Sequence, residues 1–261
     1  MRIWLKILLL VSSVMIGNAQ NFQHLDAYLQ TSWSTNDINA QDKIQSLIDR
    51  IGPNLGKSDR HFLRQVFYIT HRQVLKHYDQ YSEFGELFSS GRYDCLTATA
   101  LYSLLLTHYG YPHQVIETNF HIFLLVQSND GTLLIESTDP LDGFEFQKEK
   151  INNRISQYLT DQEAAIANMQ HPISYSIFNE VSRDQLTGLL YYNQCVNAFN
   201  EQRWNDAISL LDESKRYYQS PRIVEMENIL FSVLASIEIE KAKTSADNLS
   251  PAVGQLAMRN P

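Results

Sequence analysis

From Cys95 to His108 the chain reads Cys-Leu-Thr-Ala-Thr-Ala-Leu-Tyr-Ser-Leu-Leu-Leu-Thr-His, one helix length with apolar side chains on nearly every face. Leu96, Ala100 and Leu104 form one stripe and Leu101 and Leu105 extend it, so this helix must be buried on most sides. Gly110 stops it and Pro112 follows, as at many helix ends. Asp94 precedes it as an N-cap, and only its first turn can be exposed.

Beyond this helix the period changes from helical to extended. Residues 114–118, 121–126 and 132–136 are predicted strands, the last two joined by Asn129-Asp130-Gly131, a strong hairpin signal. Upstream, a helix is predicted over Ala40 to Ile51, ended by Gly52-Pro53. A stronger one starts at Ser58-Asp59 and carries Phe62, Leu63, Val66, Phe67, Val74, Leu75 and Tyr78. Glycine and serine at Gly85 and Ser89 to Gly91 break the chain before Cys95. Helix followed by antiparallel sheet defines an α+β first half.

From about Ile151 the helical period returns, with predicted helices over 186–200, 205–218 and 224–243 joined by short connections. The expected organisation is a signal peptide over 1–19, a helical segment over 20–57, an α+β core over 58–165, a helical region over 180–243 and a disordered polar tail over 244–261, which holds Pro251 and Gly254.

The signal peptide is expected from the basic Met1 to Lys6 stretch, the apolar run Ile7 to Ile16 and the small residues of Gly17-Asn18-Ala19. Cleavage there makes Gln20 the first mature residue of an exported, periplasmic or extracellular protein. The apolar run is too short to remain as a membrane span, so no integral segment is expected after cleavage. Cleavage removes Arg2 and Lys6 and no acid, which moves the formal charge from −8 to −10. A chain so acidic, without a basic stripe, is not a nucleic-acid binder.

Two cysteines in an oxidising compartment raise the question of a Cys95–Cys195 disulfide, but two alone are no framework. Cys195, mid-helix among Tyr191, Tyr192 and Phe199, reads as a small buried thiol. Cys95 differs because it opens its helix, where the macrodipole and a nearby imidazolium would both lower a thiol pKa. His121 supplies that imidazole: it begins a strand after the turn-prone Thr118-Asn119, at a sheet end where a helix N-terminus can also lie.

A carboxylate that orients the imidazole would complete the set, and Glu136 and Asp139 compete for the role. Strand parity bears on the choice. A two- or four-residue hairpin loop puts Glu136 on the face of His121, and a three-residue loop puts Asp139 there. Asn129-Asp130-Gly131 permits either length.

The run from Gly91 to Asp139 resembles the core of the transglutaminase-like superfamily. The resemblance lies in the glycine and cysteine at a helix start, the helix ending Tyr109-Gly110-Tyr111-Pro112, and His121-Ile122-Phe123. It continues in Leu134-Ile135-Glu136-Ser137-Thr138, similar to a strand-end acid followed by threonine, and in Asp139-Pro140, similar to an Asp-Pro of related branches. It implies a papain-like fold with Cys95 as nucleophile, His121 as general base and then acid, and an acid to orient it. The substrates implied are peptide or isopeptide amides, hydrolysed or transferred to an amine without cofactor or metal. The expected oxyanion donor is the Cys95 backbone N–H.

Asn193, Ala198-Phe199, Trp204, Ala207-Ile208 and Leu211 resemble a tetratricopeptide unit, which implies a helical appendage that packs on the core or docks a protein partner. His61, His71 and His77 share no metal spacing and read as surface residues of one helix. The rival function is an inactive member used as a binding module. A purely structural helical protein leaves the strand-borne His121 unexplained.

Overall fold

The computed structural model describes residues 24–32, 40–169 and 173–257, so the predicted signal peptide lies outside the described residues. Residues 24–30 are helical (α1). Helix α2 (Ala40–Ile51) buries Ala40, Ile44, Leu47 and Ile51, the spacing of a one-sided apolar stripe. Ser58 caps helix α3 (Asp59–Gln73), its hydroxyl accepting from the His61 N–H.

Helix α3 ends earlier than its apolar pattern predicts: Val74 and Leu75 stay buried at its end, bonded back to the Thr70 carbonyl, and the chain from Lys76 onward pairs with the segment that begins at Gly91. Tyr78 falls in a short strand β1 (His77–Tyr78) that pairs in parallel with β2 (Arg92–Tyr93), across the short helix α4 (Glu86–Ser89). Gly91 makes the pairing close: its carbonyl accepts from the N–H groups of both Lys76 and His77. Its φ is +76°, and a Cβ there would stand 2.5 Å from Lys76 Cγ. The histidines separate accordingly. His71 is buried against the rings of Phe67 and Tyr102 rather than exposed, and His77 lies outside the helix.

Helix α5 (Cys95–His108) is the buried element its composition demands, with Thr97, Thr99 and Ser103 enclosed as well as its leucines. Enclosed hydroxyls need partners. Thr99 is paired with the Ser137 hydroxyl and Ser103 with His113 Nε2. Strands β3 (His113–Thr118), β4 (Ile122–Ser128), β5 (Gly131–Ile135), β6 (Phe144–Glu145) and β7 (Phe178–Val181) form one antiparallel sheet in the order β6-β5-β4-β3-β7.

Val115, Ile122, Leu124, Val126 and Ile135 face the core that contains α5. The alternate residues Ile116, Phe123 and Leu134 meet Ile151 and Tyr158 of helix α6 (Lys148–Ala167) on the other face. The sheet therefore separates two helical layers, and the described chain is α+β.

Strand β7 has no sequence signal: Phe178, Asn179 and Glu180 are exposed, and pairing with β3 alone makes them a strand. It leads into helices α7 (Arg183–Asn200), α8 (Trp204–Tyr217) and α9 (Pro221–Ala257). The Ser182 hydroxyl caps α7, and the Gln185 side chain bonds back to the Ser182 N–H, a reciprocal capping box.

Helices α7 and α8 approach closely at Gly188, whose carbonyl accepts from the Ser214 hydroxyl at 2.7 Å. The backbone of α9 continues through residue 257, where polar composition predicts a disordered tail. Glu238, Glu240, Lys241, Ala242 and Lys243, all good helix formers, lead the helix into that stretch. Among the described residues no helix is long and apolar enough to cross a membrane.

Candidate active site

Asp94 turns the chain into α5. Its Oδ1 accepts from the Thr97 N–H at 2.8 Å and the Thr97 hydroxyl at 2.9 Å, while its own N–H donates to that hydroxyl at 2.9 Å. Its Oδ2 accepts from Asn193 Nδ2 of α7 at 2.6 Å, so a residue 99 positions away holds the cap. Cys95 follows at the first helical position, half-buried, with its carbonyl accepting from the Ser137 hydroxyl at 3.2 Å. Both cysteines are free thiols, and Cys195 is fully buried in α7.

The turn before β4 brings His121 to the end of the sheet. Thr118 Oγ1 accepts from the His121 N–H at 2.8 Å, and the Thr118 N–H donates to the His121 carbonyl at 2.8 Å. Cys95 and His121 both line one cavity of about 290 Å³, together with Asn193 of α7 and Arg222 of α9. Among the described residues no hydrogen bond joins the thiol to the ring. Catalytic contacts are often long in unliganded sites and tighten when substrate arrives.

The hairpin between β4 and β5 has the two-residue loop Asn129-Asp130, because Ser128 pairs with Gly131. The register then sets Glu136 opposite Phe123, on the face of His121. Glu136 does not reach the imidazole directly. Its Oε2 accepts from the Tyr158 hydroxyl at 2.9 Å, and its Oε1 from the N–H and hydroxyl of Thr138. The Tyr158 ring stacks on His121 with centroids 4.6 Å apart and planes 26° apart.

Asp139 is committed elsewhere. Its Oδ2 pairs with Arg154 Nη2 at 3.1 Å, and its Oδ1 accepts from the N–H groups of Leu141 and Asp142.

The electrostatics of the thiol run against the sequence expectation of a lowered pKa. Burial pushes the Cys95 thiol up, and the charges of Asp94 and Glu136 push it further; the N–H groups of Leu96 and Cys95 oppose them without prevailing. Cys95 therefore rests as a neutral thiol. Asp94 is itself raised by burial, against the lowering bonds from Thr97 and Asn193.

A second buried charge borders the cavity. Glu117 of β3 lies with Oε1 2.9 Å from Arg222 Nε, and its Oε2 accepts from the Tyr218 hydroxyl. Burial pushes the Glu117 carboxyl up, opposed by Arg222.

Sequence reasoning missed Tyr158, Asn193, Glu117 and Arg222. Tyr158 carried a usable signal, since Ile151, Ile155 and Tyr158 share one helical stripe aimed at the sheet. The other three act through contacts made far along the chain, which no local pattern encodes. No protein-family model matches the chain, and no curated protein or solved structure does either.

Proposed function

We propose that the protein is a transglutaminase-like cysteine enzyme of the papain-like class. In this reading it is exported, and it acts on peptide or isopeptide amides by thiol acyl transfer. The observation that carries the reading is the shared cavity of Cys95 and His121, with Glu136 linked to the imidazole through Tyr158.

The Cys95 sulfur adds to the scissile carbonyl as His121 takes the thiol proton. The Cys95 N–H, one of the first-turn donors without an intrahelical acceptor, supports the oxyanion. His121 then returns the proton to the departing amine, leaving a thioester on Cys95. Water or an amine attacks the thioester, His121 accepts the attacker's proton, and the sulfur leaves to be reprotonated. Tyr158 supports the ring from one face, and Glu136 orients Tyr158 by accepting from its hydroxyl.

A neutral resting thiol supports proton removal during attack rather than a standing thiolate–imidazolium pair. The same neutrality favours the rival reading of an inactive binding module. Mass spectrometry of the protein after exposure to an activated acyl ester separates the two. The enzyme reading expects one acyl group on Cys95, absent from Cys95→Ala and at least about a hundredfold slower in His121→Ala. Equal acylation in wild type and His121→Ala would sink the enzyme reading. Iodoacetamide labelling of Cys95 is expected to be slow near about pH 6 and to climb steeply to about pH 9.

A further inference from the structure

We propose that the cavity of Cys95 and His121 recognises a free carboxylate on the substrate, held by Arg222 close to the amide under attack. The inference takes the cavity as the substrate site, as in the preceding section, and adds the chemical class of what enters it.

Arg222 lies in the first turn of α9, and its guanidinium is fixed before any ligand arrives. Nε faces Glu117, and Nη2 donates to the carbonyls of Thr118 at 2.6 Å and Asn119 at 3.3 Å. The guanidinium carbon lies 5.7 Å from the centre of the Tyr192 ring. Nη1 makes no hydrogen bond among the described residues, and Nε, itself buried, meets Glu117 as an ion pair without hydrogen-bond alignment.

A guanidinium held on one edge presents its remaining donors in a set direction, and little conformational freedom is lost when an oxyanion meets them. Glu117 is the single carboxylate among the described residues that line the cavity, and its two oxygens already face Arg222 and Tyr218. It therefore anchors the arginine and offers nothing to a cationic ligand.

Tyr192, Leu189, Val196 and Ile122 supply an apolar wall around this point. Such a wall strengthens a charge-assisted contact by excluding water. A cavity of about 290 Å³ stands at the lower end of the range of small-molecule sites, the size class of one acidic residue with its flanking groups. Acidic amino-acid residues and chain-terminal carboxylates both meet the description.

The test uses full-length protein with Cys95→Ala, which removes all thiol chemistry, titrated calorimetrically with glutarate and with its neutral isostere glutaramide. Glutarate is expected to bind at least about tenfold more tightly than glutaramide. Arg222→Met is expected to abolish that preference and Arg222→Lys to keep part of it, with circular dichroism reporting the fold of each. Equal affinities on an intact Arg222, binding by neither, or a glutarate preference that survives in a folded Arg222→Met each overturn the proposal.

The acylation experiment on wild type fails separately. Glutarate preference without an acyl-Cys95 species removes the enzyme and keeps the carboxylate site, and acylation without the preference does the reverse.

Discussion

At the scale of single residues, burial dominates the titrations of Cys95 and His71. At Cys95 it outweighs the helix N-terminus, so the proton stays on sulfur until something else removes it. At His71 the same cause acts on a base. Enclosure among aromatic rings pushes its pKa down from 6.5 to about 4, only partly offset by Asp139.

The folded protein therefore declines a proton that the unfolded chain accepts, and stability is lost as pH falls from about 6.5 towards about 4. The full loss, reached below about pH 4, is about 3 kcal/mol, of which about 2 falls between pH 7 and pH 5. Urea midpoints at those two pH values are expected to show that part, and His71→Gln to flatten the slope. An unchanged slope in that variant would mean that another group is responsible.

Tyr158→Phe is the complementary residue test. It keeps the stack on His121 but leaves Glu136 Oε2 buried without a donor, which costs about 1–3 kcal/mol of stability. A thermal melt indistinguishable from wild type would show that this hydrogen bond contributes nothing.

At the scale of elements, Gly188 sets the distance between α7 and α8. A Cβ at that position would stand 2.7 Å from Tyr218 Cβ and 3.0 Å from its backbone nitrogen, and a backbone atom yields less readily than a side-chain tip. Gly188→Val is expected to destabilise the protein by about 1–3 kcal/mol. It is also expected to displace Tyr218 from Glu117, visible as a lowered melting temperature and faster amide exchange in α8.

Elements marked by their own sequence were legible: α5 with its Asp94 cap and Gly110 stop, α2, and the three strands around Asn129-Asp130-Gly131. The hairpin parity that separates Glu136 from Asp139 was posed by the sequence and needed one pairing, Ser128 with Gly131, to resolve. Illegible were the features owed to distant partners. Among these are the early end of α3 against Gly91, the strand β7 on β3, and the cavity walls contributed by Asn193 and Arg222. Local propensity was overridden in each by contacts made across the fold.

At the scale of the whole molecule, the helices of the second half are structural partners of the first. Gln194 donates to the carbonyls of Tyr81 and Ser82, Asn193 to Asp94, and Arg222 to the turn before His121. A chain ending at Met169 lacks β7 and the cover of α7 on α5, leaving apolar area and buried polar groups exposed. It is expected to lose cooperative unfolding in urea followed by circular dichroism. A sharp transition in that shortened chain would show that the first half folds alone.

The order in which these parts leave the ribosome has a further consequence. A nascent chain that has passed β5 already carries Cys95, His121 and Glu136, yet it lacks two of the walls of the cavity that Cys95 and His121 line. Those walls arrive with α7 and α9. The late arrival of α7 and α9 thus acts as a timer on the thiol, whose cavity lacks walls until both helices have been made.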